Sequence, residues 1–245
     1  MDDDAAKAYA QFNATDPRIA ALILHCLGDA RSVLNIGAGT GSYEPAGRAV
    51  TAVEPSPAMR AQRASHLPPA IDAVAEALPF ADKSFDAAMA IFCVHQWSDL
   101  QKGLAEMRRV TRGPAVVMTN DPDAFDRFWL TQYAPEFFAA RARQFPALDI
   151  LAAGLGGTCE TIRVPIPLDC RDGFNEAYYG RPEMLLDAEV RRACSSWSQI
   201  GAEATARFEQ ALKRDLDDGT WDAKFGALRT QPTFIGALVL LVSRP

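Results

Sequence analysis

The sequence predicts an α/β protein, in which a mostly parallel β-sheet is covered by helices on both faces. Two observations carry this prediction. Short apolar runs alternate with helical segments over the first half of the chain, and this alternation is typical of βαβ units. One of these runs, SFDAAMAIFCV at 84–94, is apolar almost throughout, as strands in the centre of a parallel sheet are.

Seven strands are expected, each a short run of β-forming residues bounded by turn residues. They are SVLNIG (32–37), RAVTAVEPS (48–56), AIDAVAEA (70–77), SFDAAMAIFCV (84–94), PAVVMTND (114–121), TCETIRVPIP (158–167) and FIGALVLLVS (234–243).

Helices are expected between most of these strands. The first follows Asp16-Pro17 and ends at Gly28, the second is PAMRAQRASHL (57–67), and the third begins at a Ser98 or Asp99 cap. The first two strands are joined only by SYEPAGRA (42–49), which is shorter than a usual parallel crossover. We therefore expect a turn or two of helix there and no more.

Composition and charge exclude several classes of protein. The chain has 245 residues, is 49% hydrophobic and carries a formal net charge of −6, so it lacks the basic patch of a nucleic-acid binder. Its five cysteines have neither metal-ligand nor redox spacing. The N-terminus is acidic, and the longest apolar run is about half a membrane span. We expect a cytoplasmic protein, monomeric or homodimeric, that contacts neither a membrane nor nucleic acid and holds no metal.

Three glycines at alternate positions end the first strand, at Gly37, Gly39 and Gly41. Glycine tolerates a positive φ and lets another group approach the backbone closely. Glu54 ends the next strand, where open α/β sheets bind their ligands. The dinucleotide fingerprint fits poorly, because Ser42 occupies the place of its third glycine and Glu54 follows Gly41 by 13 residues instead of about 20. A ligand with a ribose and no phosphate fits better, and this indicates S-adenosylmethionine.

Four segments carry a family resemblance in order along residues 30 to 120. VLNIGAGTGSYE, VTAVEPSPAMR, AVAEALPFADKSFDAAMAIFCVHQWSD and GLAEMRRVTRG together resemble the class I S-adenosylmethionine-dependent methyltransferases. Within them the chain is most similar to the small-molecule subgroup (methyltransferase type 11) that includes ubiquinone and menaquinone biosynthesis enzymes. The resemblance implies a Rossmann-like seven-stranded sheet whose last strand is antiparallel, together with a helical insertion.

The resemblance also implies the residues that bind the cofactor, S-adenosyl-L-methionine, whose product is S-adenosyl-L-homocysteine. The loop under its methionine part comprises Gly37, Ala38, Gly39 and Gly41, and the adenosine is held by Glu54 with its neighbours Pro55, Ser56 and Met59. The adenine is lined by Ala75, Glu76 and Ala77. A wall at a strand end is formed by Ile91 and Phe92, and an N-terminal cap that contains Tyr9 closes over the cofactor.

Methyl transfer from a sulfonium needs alignment and a dry site, and it needs a general base only when the acceptor must lose a proton. His95, just past the fourth strand, is the candidate base; its alternative role is stacking. The candidate substrate residues lie after strand ends or in the aromatic second half: Trp97, Trp129, Tyr133, Asn175, Tyr178 and Tyr179. The acidic turn LDDGTWD is more typical of a solvated surface than of a metal site.

A single domain is expected over 1–245. Its parts are an N-terminal helical cap (1–28), a cofactor-binding half (29–120), a helical and aromatic substrate lid with one strand (121–232) and a final strand (233–245). The expected activity is methyl transfer to a small organic acceptor. Three alternatives remain open: intramolecular displacement that consumes the cofactor, a non-catalytic binding protein, and a nicotinamide-dependent oxidoreductase.

Overall fold

The structure is a computed structural model that describes residues 14–194, 197 and 200–245. The chain forms two compact units. The sheet unit comprises Pro17–Asp121, Phe145–Arg163 and Leu238–Pro245, and the helical unit comprises Pro122–Gln144, Val164–Ala237 and the described residues up to Asp16. Tyr9 lies outside the described residues.

The strands form a central six-stranded sheet and a separate two-stranded sheet. The central strands are β1 (Ser32–Ile36), β2 (Ala49–Val53), β3 (Ala87–Ile91), β4 (Ala115–Asn120), β5 (Thr158–Arg163) and β8 (Leu238–Arg244), while β6 (Ile166–Pro167) and β7 (Thr233–Phe234) form the small sheet. The order of the central sheet is β2-β1-β3-β4-β8-β5. The first four strands of this order are parallel, and β8 runs antiparallel to both of its neighbours. The mostly parallel sheet with an antiparallel last strand is therefore confirmed.

The third predicted strand is reduced to a single bridge, so the central sheet has six strands instead of the expected seven. Ile71 pairs with Val53, donates its N–H to the Ala52 carbonyl (2.9 Å) and accepts from the Glu54 N–H (3.0 Å). Beyond Ile71 the chain forms turns as far as Phe80. Pro68 and Pro69 precede this segment and lack the N–H groups that a longer ladder requires.

The helices occur in both units. They are α1 (Pro17–Leu27), α2 (Pro57–Ala61), α3 (Leu100–Val110), α4 (Leu130–Tyr133), α5 (Pro135–Gln144), α6 (Leu148–Leu155), α7 (Ala188–Ala193), α8 (Ala202–Asp217) and α9 (Thr220–Phe225). Asp99 is the cap of α3, because its carboxylate accepts the Lys102 N–H at 3.0 Å. None of the helices in the described part of the chain is long and apolar enough to span a membrane.

Two predicted helical stretches are shorter than expected. The segment from 57 to 67 is helical only over α2, and the connection from β1 to β2 contains turns without a helix. That connection holds Gly37, Gly39, Gly41 and Gly47 at positive φ, and Tyr43 at φ 64°. Because a right-handed helix requires negative φ, these residues exclude one there.

The core of the sheet unit is built from apolar side chains of the strands and of the helices packed on them. Leu34, Ala88 and Val117 come from neighbouring strands and are fully buried, and Leu104 and Leu151 cover them from α3 and α6. The carboxyl ends of β1, β2, β3 and β4 lie along one edge of the sheet. The turns that follow these strands are thereby brought together.

The predicted segments divide differently between the two units. Helix α1, expected in an N-terminal cap, belongs to the sheet unit, as do α6 and β5, which were expected in the lid. The run TCETIRVPIP splits into β5 and β6, and FIGALVLLVS is interrupted between β7 and β8. A long-range contact accompanies the interruption, because the Ala237 N–H donates to the Glu176 carboxylate at 2.8 Å instead of to a neighbouring strand.

Candidate functional site: the glycine loop and Glu54

The glycine loop connects the end of β1 to the start of β2. Gly37, Gly39 and Gly41 have φ values of 66°, 51° and 99°, a region that glycine enters without a steric penalty. The Ala38 N–H donates to the Val53 carbonyl (2.9 Å), and the Gly41 N–H donates to the Ala38 carbonyl (2.9 Å). The loop is therefore tied to the end of β2, directly beside Glu54.

The space that a Cβ would occupy at these glycines is already filled by the protein. At Gly37 it would meet Cys93 at 2.8–2.9 Å, at Gly41 it would meet a Leu67 methyl at 2.3 Å, and at Gly39 it would meet the Met59 methyl at 3.1 Å. We expected these glycines to admit a ligand. The structure shows that they also admit close packing of neighbouring side chains.

Glu54 directly follows β2, and its carboxylate is held by two backbone groups. Its Oε2 accepts the Gly39 N–H and its Oε1 accepts the Ser56 N–H, each at 2.8 Å, and the residue is 8% exposed. A carboxylate has about four lone-pair sites, so each oxygen retains acceptor capacity for a ligand hydroxyl. Ser56 also accepts the Met59 N–H and caps α2, which fixes the neighbouring Pro55 and Met59.

Residues 75–77 follow the single bridge and face different surroundings. Ala75 is buried in the core, and Ala77 is exposed. One oxygen of Glu76 accepts the Ser98 hydroxyl (2.9 Å) and the Asp99 N–H (3.1 Å). Burial alone would raise the pKa of Glu76, but these hydrogen bonds outweigh it and lower the pKa below its usual value. Its carboxylate therefore holds the start of α3.

The end of β3 contains an unusual backbone conformation. Phe92 has φ 53°, in the left-handed region that non-glycine residues rarely adopt, and its N–H is held by the Met118 carbonyl at 3.0 Å. Cys93 follows it, packs beneath Gly37 and donates its thiol to the Ile36 carbonyl at 3.1 Å. Burial and the nearby Glu54 raise the pKa of Cys93 to about 12, so the thiol is protonated.

His95 and Trp97 also belong to the sheet unit. The His95 ring stacks on Phe145, with centroids 4.2 Å apart and planes 24° apart, and its Nε2 lies 3.4 Å from the Gln96 amide nitrogen. The Trp97 ring lies against Gly103 of α3, where a Cβ would approach it to 2.5 Å. Both side chains are thus positioned by packing.

The other five candidate substrate residues all lie in the helical unit. Trp129 is buried and donates its indole N–H to the Tyr179 carbonyl (2.8 Å), and the Tyr179 hydroxyl donates to the Gln231 carbonyl (2.6 Å). Tyr133 donates to the Asp215 carboxylate at 2.9 Å; burial and this carboxylate raise its pKa. The indole N–H and the two phenol hydroxyls therefore all donate hydrogen bonds within the helical unit.

Asn175 and Tyr178 have different neighbours. The Asn175 side-chain oxygen accepts the Trp197 indole N–H at 2.7 Å, and the Arg181 guanidinium lies 5.3 Å from the centre of the Tyr178 ring. Burial raises the pKa of Tyr178, so its hydroxyl is protonated at neutral pH.

Sequence reasoning missed three residues beside the glycine loop. Arg63, Glu44 and Asn35 form a buried hydrogen-bonded group there. Asn35 and Glu44 both lie within VLNIGAGTGSYE, but no motif links them to Arg63, and the three side chains meet only when the loop folds back over the end of β1. In the described residues no group of His, Cys, Asp and Glu could hold a metal ion.

Comparison with known proteins places this chain in a family. A solved structure from Anabaena variabilis, described as a methyltransferase of an antibiotic biosynthesis pathway, is 32% identical to this chain; the match covers 95% of this chain and 99% of that one, with a TM-score of 0.87. The chain belongs to the class I S-adenosylmethionine-dependent methyltransferases.

Further matches agree with this family. The family model described as a methyltransferase domain matches residues 34–118 of this methyltransferase, the span that contains the glycine loop and Glu54. A malonyl-[acyl-carrier protein] O-methyltransferase of Pseudescherichia vulneris is 38% identical over an alignment of 127 residues, and the match covers 47% of this chain and 49% of that enzyme. The match therefore spans about half the length of this curated relative.

A more distant structure shows the fold alone. A phosphoethanolamine N-methyltransferase 2 of Haemonchus contortus, solved in complex with S-adenosylhomocysteine, is 15% identical, with a TM-score of 0.52; the match covers 95% of this methyltransferase and 53% of that chain. The two folds correspond over nearly the whole of the present chain.

The residues of this methyltransferase fit S-adenosylmethionine, the cofactor of the family. Glu54 has free acceptor capacity for two ribose hydroxyls. The Asn35 side-chain oxygen is buried and has no hydrogen-bond partner in the described part of the chain. Because a buried acceptor without a partner is costly, this oxygen suits a donor group on a ligand. The site thus offers acceptors for the hydroxyl and ammonium groups of this cofactor.

Proposed function

We propose that this chain transfers the methyl group of S-adenosylmethionine to a small organic acceptor and releases S-adenosylhomocysteine. The observation that carries the proposal is the Glu54 carboxylate, whose two oxygens are oriented by the Gly39 and Ser56 N–H groups. When bound, the cofactor supplies an electrophilic methyl group on a sulfonium centre. The chain's own residues bind, orient and exclude water.

Each residue set in the sheet unit has a proposed role. Glu54 accepts the ribose hydroxyls, with Pro55, Ser56 and Met59 beside the adenosine. The glycine loop underlies the methionine part. The remaining proposed cofactor residues line the adenine and the methionine end: Ala75, Glu76, Ala77, Ile91 and Phe92. The left-handed backbone of Phe92 supports a role at the site, because such conformations cluster where function requires them.

The acceptor roles rest on the remaining aromatic and polar residues. We propose that Trp97, Trp129, Tyr133, Asn175, Tyr178 and Tyr179 recognise the acceptor. The indole N–H of Trp129 and the hydroxyl of Tyr179 donate to backbone carbonyls, and the buried Tyr179 ring stacks on Phe234, so the role proposed for these two residues is to shape the acceptor site by packing. His95 is the proposed base for an acceptor that must lose a proton, and its stack on Phe145 fixes the plane of the imidazole. The role proposed for Tyr9 is to close over the cofactor.

The partners and location are proposed on charge and cysteine usage. A net charge of −6 disfavours polyanionic acceptors and supports a small molecule. All five cysteines are free thiols, as is usual in a reducing compartment, and this supports a cytoplasmic location. We propose a single domain that functions as a monomer or homodimer.

The test is calorimetric titration of S-adenosylhomocysteine into the wild type and Glu54→Ala. Hydrogen bonds to a charged group contribute about 1.5–3 kcal/mol, so we expect the Kd to rise at least about tenfold. Glu160→Ala is the matched control, because Glu160 is an exposed acid on β5 that forms an ion pair with Arg244. An unchanged Kd in Glu54→Ala would remove Glu54 from the cofactor site.

Mass spectrometry then separates the possible uses of the sulfonium. The enzyme is incubated with S-adenosylmethionine alone and with pooled small acceptors. S-Adenosylhomocysteine formed only with an acceptor supports the proposal. Methylthioadenosine formed without an acceptor indicates intramolecular displacement, and cofactor binding without any product indicates a non-catalytic protein.

A second candidate acceptor is a carboxylate carried on an acyl carrier protein. One observation favours it, the 38% identity with the malonyl-[acyl-carrier protein] O-methyltransferase. That match covers 47% of this chain, so the support comes from the aligned part of the chain alone. Incubation with malonyl-acyl carrier protein, with acetyl-acyl carrier protein as the control that lacks the free carboxylate, tests it by the gain of one methyl group.

A further inference from the structure

The ion pair between Arg63 and Glu44 is buried directly beneath the glycine loop. Nη2 of Arg63 donates to both oxygens of Glu44, at 2.8 and 3.0 Å, and the two side chains are 4% and 2% exposed. Most ion pairs of the described residues have at least one partner that is much more exposed. A pair so completely removed from water requires that its remaining polar atoms also find partners.

Those remaining atoms are used to hold backbone. Nη1 of Arg63 donates to the Gly39 carbonyl at 3.3 Å, and Nε and Nη2 donate to the Pro68 carbonyl at 3.2 and 3.0 Å. Oε1 of Glu44 also accepts the Asn35 side-chain amide at 3.1 Å. The pair therefore joins the middle of β1, the glycine loop and the turn that follows α2.

Gly39 is consequently held from both sides. Its N–H donates to Glu54 at 2.8 Å, and its carbonyl accepts from Arg63. Gly39 has a positive φ and lies between two other glycines, so its backbone has the widest conformational freedom when it is not held. The two contacts together select one orientation of the residue beside Glu54.

We propose that Arg63 and Glu44 are positioning residues for the cofactor, acting through the backbone of Gly39. Arg63 orders the loop before the ligand binds, so that binding does not have to supply the free energy of ordering it. Glu44 holds the Arg63 guanidinium in place and neutralises it. This inference rests on the proposed placement of the cofactor at the loop.

The experiment compares Arg63→Met with the double variant Glu44→Gln/Arg63→Met. Removing Arg63 alone leaves Glu44 buried and unpaired, which destabilises the fold, whereas removing both charges relieves this penalty, and the amide side chain introduced by Glu44→Gln retains an acceptor for Asn35. We expect the midpoint of thermal unfolding to fall in the single variant and to recover in part in the double variant, where the Gly39 and Pro68 carbonyls still lack the Arg63 donors. The Kd for S-adenosylhomocysteine is expected to rise at least tenfold in both, because the Gly39 carbonyl has lost its donor in both.

Two further measurements make the test decisive. Arg63→Lys retains a charge opposite Glu44 but lacks the fork that reaches two acceptors, so we expect near-normal stability with weakened binding. Amide hydrogen exchange over residues 37–41 without ligand is expected to accelerate in Arg63→Met and in the double variant. Arg112→Met is the control, since Arg112 pairs with Asp86 at the opposite ends of the strands.

The outcomes distinguish the inference from the function on which it rests. If binding recovers together with stability in the double variant, or if loop exchange is unchanged, the pair is a structural ion pair only and the inference is overturned. Hydrogen exchange is measured without cofactor, so it tests the inference even if the cofactor binds elsewhere. Failure of the proposed placement would instead appear as an unchanged Kd in Glu54→Ala.

Discussion

Individual residues beside the glycine loop pack the fold and also shape the proposed site. Cys93 fills the space next to Gly37, and Met59 fills the space next to Gly39 while its N–H helps to cap α2. Glu54 orients the loop through Gly39 before it meets any ligand. A substitution here therefore changes packing and the proposed site together, and the effects have to be separated by choice of control.

Gly37→Ala is expected to destabilise the protein more than Gly28→Ala. Both glycines have positive φ, 66° and 59°, but a Cβ at Gly28 would have open space around it, whereas at Gly37 it would meet the buried Cys93. The left-handed backbone costs a non-glycine residue about 1–2 kcal/mol at either position, and overpacking adds about 1–3 kcal/mol at Gly37. Urea unfolding of both variants measures the difference. Equal losses would mean that Cys93 moves away without cost.

At the scale of elements, the residues at the two ends of the parallel strands have different roles. The carboxyl ends of β1, β2 and β3 lead into the glycine loop, Glu54 and Phe92. At the amino ends Asp86 joins β3 to β1, because one of its oxygens accepts the N–H groups of Arg31 and Ser32 and the Ser32 hydroxyl, at 2.8–3.0 Å. Its other oxygen pairs with Arg112 at 2.7 Å. This end is structural.

Asp86→Asn is expected to lower the free energy of unfolding by about 1.5–3 kcal/mol at neutral pH, as for hydrogen bonds to a charged group. The Ser32 N–H, the Arg112 guanidinium and the Ser32 hydroxyl hold the pKa of Asp86 far below its ordinary value of 3.8. A depressed pKa contributes stability that is complete above the unfolded value and is lost as the pH falls below it. The difference between the wild type and Asp86→Asn should therefore shrink below about pH 4. Denaturant unfolding at pH 7 and pH 3 checks this, and a difference independent of pH would contradict it.

Secondary-structure elements were predictable to different degrees, for physical reasons. The long apolar runs of β3, β4 and β8 and the capped helix α3 were predicted because pattern and local capping agree there. The third strand was predicted but does not form, because Ile71 makes only one bridge before turns begin. The break between β7 and β8 depends on Glu176, more than fifty residues earlier in the chain, and no local pattern reports such a contact.

At the scale of the whole molecule, the proposed cofactor residues and most of the proposed acceptor residues belong to different compact units. Every proposed cofactor residue within the described ranges belongs to the sheet unit, and five of the six proposed acceptor residues belong to the helical unit. The family match over 34–118 likewise lies within the sheet unit. We therefore propose that the sheet unit holds the cofactor and that the helical unit recognises most of the acceptor.

S-Adenosylhomocysteine is expected to stabilise the whole protein by mass action. A ligand that binds only the native state at 100 times its Kd adds about 2.7 kcal/mol to the free energy of unfolding. NAD at the same concentration is expected to add nothing measurable, because the loop lacks the spacing of the dinucleotide fingerprint. Chemical denaturation with each ligand measures both effects. Stabilisation by NAD alone would favour a nicotinamide site.

The candidate site shows the same division between what local pattern reveals and what it does not. The glycine loop and Glu54 were predictable because a strand, a glycine turn and an acid at the next strand end follow one another within about two dozen residues. Trp129 and Tyr179 were chosen for their chemistry, and the structure shows their polar atoms bonded to backbone carbonyls. Composition cannot distinguish an aromatic residue of a core from one of a pocket.

The sequence by itself determined the α/β class, the parallel sheet and the position of Glu54, because each follows from local periodicity or from motifs close together in the chain. The motifs along residues 30 to 120 also carried the family resemblance, which in turn implied the antiparallel last strand. Only the tertiary structure decided that the third strand is a single bridge, that α6 and β5 belong to the sheet unit, and that Arg63 and Glu44 meet beneath Gly39. These features depend on contacts between residues distant in the chain, which form only when the sheet has brought its strand ends together.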